Sequence, residues 1–185
     1  MKTRILLSFL ILLAIPAVYF TSCSKAKDLA SVDVTMKLPR QHFTVKGTNL
    51  KTSEIVLYSG SVNINLDSLL NFYGLSSGFI QTTSFSNLSV TIEQPPDSTF
   101  HWLQSMRATI SSNAQFNPEY EVGSVTNNDP TARTVVITTN NVNIRPYLTS
   151  SGFYFRLYAV LNGPLPAVTL GMFLDGTVQL TIAPL

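Results

Sequence analysis

The sequence predicts an all-β protein: an antiparallel β-sandwich, Ig-like or jelly-roll-like, with one or two short corner helices, after an N-terminal signal peptide. Three observations carry this. Apolar and polar residues alternate in several short runs, as at Val32-Asp33-Val34-Thr35-Met36-Lys37-Leu38 and Leu88-Ser89-Val90-Thr91-Ile92-Glu93. Such a period of two puts one face of a strand into a core and the other into water. Turn signals separate the runs at short spacing, among them Pro95-Pro96-Asp97-Ser98 and Asn127-Asn128-Asp129-Pro130, as in sandwiches. Finally, nothing after residue 23 keeps a helical period over three turns. A closed barrel is the alternative all-β arrangement.

Taken in order, Val32 to Leu38 is a strand stopped by Pro39, and Phe43 and Val45 extend structure up to Gly47. Glu54 to Leu66 reads as two short strands about a Ser59-Gly60 turn or bulge. Asp67 to Gly74 reads as one or two helical turns, with Asp67 as N-cap and Gly74 as the stop. Strand character returns from Phe79 and breaks at Pro95-Pro96. Phe100-His101-Trp102-Leu103 reads as a further short helix, after which Met106, Ala108 and Ile110 alternate again. A strand near Tyr120 to Val125 follows a polar loop, and Ala132 to Thr138 is β-branched and extended. Val142-Asn143-Ile144 echoes Val62-Asn63-Ile64, each a strand end running into a leucine-bearing corner. Phe153 to Leu161 and Val168 to Ile182 complete the set, with Asp175-Gly176 as a hairpin turn signal.

The N-terminus carries an address. Lys2 and Arg4 precede an apolar run from Ile5 to Phe20, which Pro16 interrupts and Thr21-Ser22-Cys23 closes. A basic start, an apolar stretch and small residues at a boundary form a secretory signal peptide. The run is 16 residues long, against the roughly 17–25 a spanning helix needs. An uncleaved anchor would leave Cys23, the single cysteine, unexplained. Phe20-Thr21-Ser22-Cys23 resembles the lipobox of bacterial lipoprotein precursors, and the Ser-Cys-Ser-Lys context is similar to lipoproteins of the Bacteroidota. The resemblance covers about the first 28 residues and departs from the usual pattern at Phe20, where a leucine-like residue is common. It implies cleavage before Cys23 and lipidation of that residue. Residues 1–22 are then the signal peptide, 23–30 a lipidated tether and 31–185 a single β-sandwich domain. Ser24, rather than Asp, after the cysteine implies the outer membrane, with its face left open.

Removal of residues 1–22 leaves 163 residues with ten basic and ten acidic side chains. That length supports one domain with a real core. Zero net charge without a basic stripe argues against a nucleic-acid partner. Six basic residues against two acids in 24–51 form either an ordinary solvated tether and first strand or a segment that rests on anionic head groups. With Cys23 acylated, the mature domain has no disulfide.

Motifs for chemistry are sparse. His42 and His101 stand apart, and no Cys/His spacing, phosphate loop or G-x-S-x-G occurs, so no cofactor, metal or catalytic residue is expected. Glu93 with Asp97 and Glu119 with Glu121 are carboxylate pairs whose separation sequence cannot show. Asp129 and Asp175 lack an EF-hand-like ligand run. Aromatic residues are the better lead. In 153–158, alternation sets Phe153, Phe155 and Leu157 on one face against Tyr154, Arg156 and Tyr158 on the other. The second set, with Trp102, is the candidate ligand-binding group. The expectation is a non-catalytic, lipid-anchored cell-envelope protein for binding, adhesion or structure, with the membrane and a glycan or protein as partners. The alternatives are a glycan-binding accessory of an uptake system and a small envelope hydrolase.

Overall fold

The computed structural model describes residues 31–47, 54–64, 66–72, 74, 79–148 and 152–182. Over these residues the strands are β1 (Val32–Lys37), β2 (Gln41–Val45), β3 (Glu54–Asn63), β4 (Ile80–Gln94), β5 (Leu103–Ser111), β6 (Tyr120–Thr126), β7 (Thr134–Thr139), β8 (Gly152–Leu161) and β9 (Leu170–Ile182). A helix, α1 (Leu66–Phe72), and a 3-10 turn at Arg145–Tyr147 cover corners. All strand pairings are antiparallel.

The strand order is β1-β9-β4-β7-β6-β5-β8-β3, with β2 also on β9. β1 lies against Thr177 to Ile182 and β2 against Leu170 to Leu174, so the two are halves of one broken strand. The first sheet is then β1/β2-β9-β4-β7 and the second β6-β5-β8-β3. From β3 onward the chain crosses between sheets at every connection except β5 to β6, which is a jelly-roll arrangement. The sandwich expectation holds, and the curl joins the sheets along one edge.

That edge depends on Gly123. β6 and β7 pair only at Gly123–Thr139 and Ser124–Thr138, beside a register shift between Ala108 and Thr109 on β5. A Cβ on Gly123 would stand 2.6 Å from the Thr138 carbonyl oxygen and 3.1 Å from the Thr139 Cα. Only a residue without a side chain lets β7 leave the second sheet and turn onto β4.

The core fills the space between the sheets. Phe85, Leu88, Val90 and Ile92 of β4 and Met172, Leu174, Val178 and Leu180 of β9 are buried from the first sheet. Met106, Ala108 and Ile110 of β5 and Phe153, Phe155 and Leu157 of β8 are buried from the second. Phe85 meets Phe153 and Phe155 edge-on at centroid distances of 5.9 and 6.2 Å. Each such side chain contributes roughly 1.5–3 kcal/mol on burial. Leu66 and Leu70, one helical turn apart, turn the same side of α1 inward. Gly74 follows at φ +68° with its N–H bonded to the Asn71 carbonyl, the expected stop. Asp67, expected as the N-cap, lies inside the first helical turn instead, because the helix begins at Leu66; a carboxylate still suits the helix N-terminus there.

Other local expectations change as well. Val142-Asn143-Ile144 is not a strand end: β7 stops at Thr139, and this segment bonds β4 through Ile144 N–H to the Thr83 carbonyl. Asp175-Gly176 is not a hairpin: β9 runs straight through it, paired with β4 at Ser89–Asp175 and Leu88–Gly176. The partner breaks instead, at Pro39-Arg40, where Leu38 N–H still bonds the Gly176 carbonyl at 2.9 Å. Gly176 makes room for Leu38, whose Cδ1 would be 2.9 Å from an added Cβ. Phe100 to Leu103 makes a single turn rather than a helix, because its polar backbone groups bond outward. Phe100 N–H bonds to Ala132, Asn162 N–H bonds to Trp102, and the Asn127 amide donates to Phe100 and Leu103. Residues 54–63 form one strand, with its bulge between Val56 and Tyr58 rather than at Ser59-Gly60.

Gly123→Ala should destabilise the domain by about 1–3 kcal/mol through overpacking, read as a lower urea midpoint. Gly163→Ala, whose added Cβ meets nothing within 4 Å, should stay within about 0.5 kcal/mol of the parent.

Candidate functional site

The outer face of the second sheet follows from the inner one. With Phe153, Phe155 and Leu157 buried, Tyr154, Arg156 and Tyr158 must point outward from β8, and all three are partly exposed. Neighbouring β5 is read the same way: Met106, Ala108 and Ile110 go in, so Arg107 and Thr109 go out. Arg107 pairs with Tyr158 and Thr109 with Arg156 across the ladder.

These side chains build a connected row. Arg107 donates to Glu54 from Nε at 2.6 Å and from Nη2 at 2.7 Å. Its guanidinium lies 3.7 Å above the Tyr158 ring. The Tyr158 hydroxyl donates to Glu119 Oε1 at 2.8 Å and accepts from Arg156 Nη1 at 3.0 Å. Thr109 donates to the same Glu119 oxygen at 2.6 Å. The Arg156 guanidinium covers the Phe116 ring at 3.7 Å, and Phe116 meets Tyr154 edge-on at 6.4 Å. Cation–π contacts at exposed sites contribute roughly 0.5–1 kcal/mol each. Their larger effect here is to hold long side chains in one orientation.

Phe116 reaches this row because the 112–119 loop folds about Asn113. The Asn113 side-chain oxygen accepts from Gln115 N–H at 3.0 Å, and its amide donates to the Asn117 carbonyl at 2.7 Å. Phe116 itself takes φ +53° and is largely buried.

Beside the row lies a groove of about 580 Å³. It crosses the sheet from Glu54 on β3, over Tyr158 and Arg107, to Ser124 on β6 and Thr138 on β7. Most of its residues come from the start of β3 and β5 and the end of β8 and β6, with Glu121 from the start of β6. The groove therefore sits at the end of the sandwich opposite Val32, Asn63 and Gly152.

Of the predicted site residues, Tyr154, Arg156 and Tyr158 share this face. Trp102 does not: it is 1% exposed, packed 5.5 Å from Phe100 in the core. Its place after the Pro-Pro break let sequence reasoning put it on the surface; the backbone turn carries it inward. Cys23 lies outside the described residues. Arg107, Glu54, Glu119, Thr109 and Phe116 were missed as site residues. For Arg107 and Thr109 the signal was present in the β5 alternation. For Glu54 and Phe116 there was none, since their partners are far away in sequence.

The other candidates are engaged elsewhere. His42 is 3.5 Å from Glu93, both exposed, and His101 approaches Thr99 at 3.4 Å. Asp175 holds Arg40 at 2.9 and 3.0 Å. Asp129 closes its own loop on Thr131, whose hydroxyl and N–H hold its carboxyl below the ordinary range. Among the described residues no group of three metal-ligating side chains occurs.

No protein-family model matches the chain, and neither does any curated protein. Among solved structures it is similar to an infectious bursal disease virus Gx strain chain. That match has 13% identity and a TM-score of 0.38, covering 82% of this chain and 33% of that one. A chain of N-glycanase F (PNGase F) matches at 11% and 0.40, covering 80% and 42%. One of desmodium yellow mottle tymovirus matches at 12% and 0.28, covering 83% and 90%. The chain thus spans about a third of the length of the bursal disease virus chain. Such scores carry nothing about what this chain does.

The Arg107 hydrogen bonds hold the Glu54 carboxyl below its ordinary range. A depressed carboxyl contributes stability that is present above its unfolded value, about 4.3, and lost as pH falls through the lower folded one. Glu54→Gln should therefore flatten the loss of stability below about pH 4.3, measured as urea midpoint against pH. Because the pair is partly exposed, coupling with Arg107 should be no more than about 1 kcal/mol.

Proposed function

We propose that this is a lipid-anchored cell-envelope protein whose jelly-roll domain is a non-catalytic binding module. The observation that carries the binding part is the ordered outer face from Glu54 to Phe116 with the groove beside it. Arg107 and Arg156, each pinned by a carboxylate or hydroxyl and an aromatic ring, are pre-organised, and pre-organisation lowers the entropic cost of holding a ligand. A binding rather than catalytic role is supported by the state of the row's acids. Glu54 accepts both Arg107 donors, and Glu119 accepts from Tyr158 and Thr109. A general acid or base must exchange its proton with the ligand; these carboxylates are turned to the protein.

Anchoring rests on the Phe20-Thr21-Ser22-Cys23 pattern. Each buried lipid CH₂ contributes about 0.8 kcal/mol, and more than one chain makes attachment stable. A tether from Cys23 leads to Val32, which pairs with Ile182 at one end of the sandwich. β8 runs from that end to the groove, and ten strand residues extend roughly 30 Å. The groove would face away from the membrane, where a ligand could reach it.

In an expressing bacterium, wild type should fractionate with membranes and have the mass of a chain beginning at acylated Cys23. Cys23→Ala should lose the lipid mass and leave the membrane fraction. An unlipidated, soluble wild type would overturn the anchor. For the binding part, an extract of the source cell envelope should slow amide hydrogen exchange in β5, β6 and β8 and leave β4 and β9 unchanged.

A further inference from the structure

We infer that the groove is a subsite for an uncharged, polyhydroxylated ligand, a saccharide segment. This rests on the binding reading above and names its ligand class. The row and the groove differ in one respect. Along the row Glu54, Arg107, Thr109, Glu119, Arg156 and Tyr158 are each hydrogen-bonded to another side chain. In the groove, Ser105, Glu121, Ser124, Thr126, Asn128 and Thr138 make no side-chain hydrogen bond or ion pair among the described residues. Glu121 is bonded only through its backbone carbonyl, which accepts the Asn140 amide at 2.8 Å. One groove thus gathers four hydroxyls, a carboxamide and a carboxylate, all open to a ligand.

Charge selects among polar ligands. Arg107 is neutralised by Glu54 through two short hydrogen bonds, so no cation is left to draw an anionic ligand. An anion would also face Glu121. A cation would meet a single exposed carboxylate, a contact worth little in water. A neutral ligand meets no repulsion and can use every open polar group of the groove. Hydroxyl groups are donors and acceptors at once, so they can satisfy a carboxylate that only accepts, an amide that does both, and serine and threonine hydroxyls that adapt by rotation. Adjacent hydroxyls of a sugar ring can bridge the two oxygens of Glu121 or the oxygen and nitrogen of Asn128. The partly exposed Val125 and Val160 beside these groups offer an apolar surface for the C–H face of a ring. The volume of about 580 Å³ lies within the range of ligand sites, roughly 300–1,000 Å³.

The test uses the full chain in a detergent without a sugar head group. The probe is a polysaccharide extract of the source cell envelope, split by anion exchange into neutral and acidic fractions. The readout is amide hydrogen exchange in β5, β6 and β8. The neutral fraction should slow exchange there, and periodate, which cleaves vicinal diols, should abolish the effect. Binding should hold from about 0.01 to 1 M salt, over which the screening length falls from about 30 to about 3 Å. Glu121→Gln, near-isosteric and on an exposed side chain, should weaken binding about tenfold or more through loss of a charge-assisted hydrogen bond. Asn128→Ala should weaken it as well, and Gln179→Ala on the opposite sheet should leave it unchanged. Protection by the acidic fraction alone, or protection lost with salt, would overturn the neutral class. Protection that survives periodate but not protease would replace the saccharide by a protein while the binding reading stands. No protection by whole extract or by either fraction would end both.

Discussion

Phe85 on β4 touches Phe153 and Phe155 on β8, and this contact ties the first sheet to the second. Side chains alternate strictly along a strand, so seating those two rings inward leaves no freedom for their neighbours. Tyr154, Arg156 and Tyr158 must emerge on the far side. The register of β8 against β5 then brings Arg107 over the Tyr158 ring. A slip of one residue would send Arg156 into the core, where an unpaired guanidinium costs far more than the contact is worth. The outer face therefore inherits its order from the core.

That order matters because long side chains are otherwise mobile. Arginine loses up to about 2 kcal/mol of rotamer entropy when held. In this protein the loss is taken on folding, through Glu54 and Tyr158 for Arg107 and through Phe116, Tyr158 and Glu119 for Arg156. The result is a face with an engaged half and an open half. The engaged half holds geometry, and the open half, around Glu121 and Asn128, keeps its hydrogen-bonding capacity. The two halves also differ in their place along the strands: the aromatic contacts of Phe116 and Tyr154 lie toward the Gly152 end of β8, and most of the groove toward the Leu161 end.

Much of the strand framework was legible locally. Val32 to Lys37, Leu88 to Glu93 and Phe153 to Leu161 alternate so regularly that their faces could be assigned residue by residue. The departures share a cause. Asp175-Gly176 has the chemistry of a hairpin turn, yet β9 is paired with β4 through both residues, and breaking it would orphan backbone groups on that neighbour. The bend went instead to the broken strand β1/β2, where Pro39 has no N–H to lose. Trp102 likewise left the surface when the backbone around it found partners in the loops holding Asn127, Ala132 and Asn162.

From the sequence alone follow the all-β class, the inward and outward sets of β8, the balance of ten basic and ten acidic side chains over residues 23–185 and a cysteine in a setting that resembles a lipobox. Each is a property of neighbouring residues or of composition. Tertiary structure decided the jelly-roll order, the sheet edge at Gly123 and the joining of Glu54, Arg107, Glu119 and Phe116 into one row with Tyr158 and Arg156. Glu54 and Arg107 are 53 residues apart, and Tyr158 and Glu119 are 39 apart. Strand pairing over such distances depends on how the whole core closes, which no local pattern encodes.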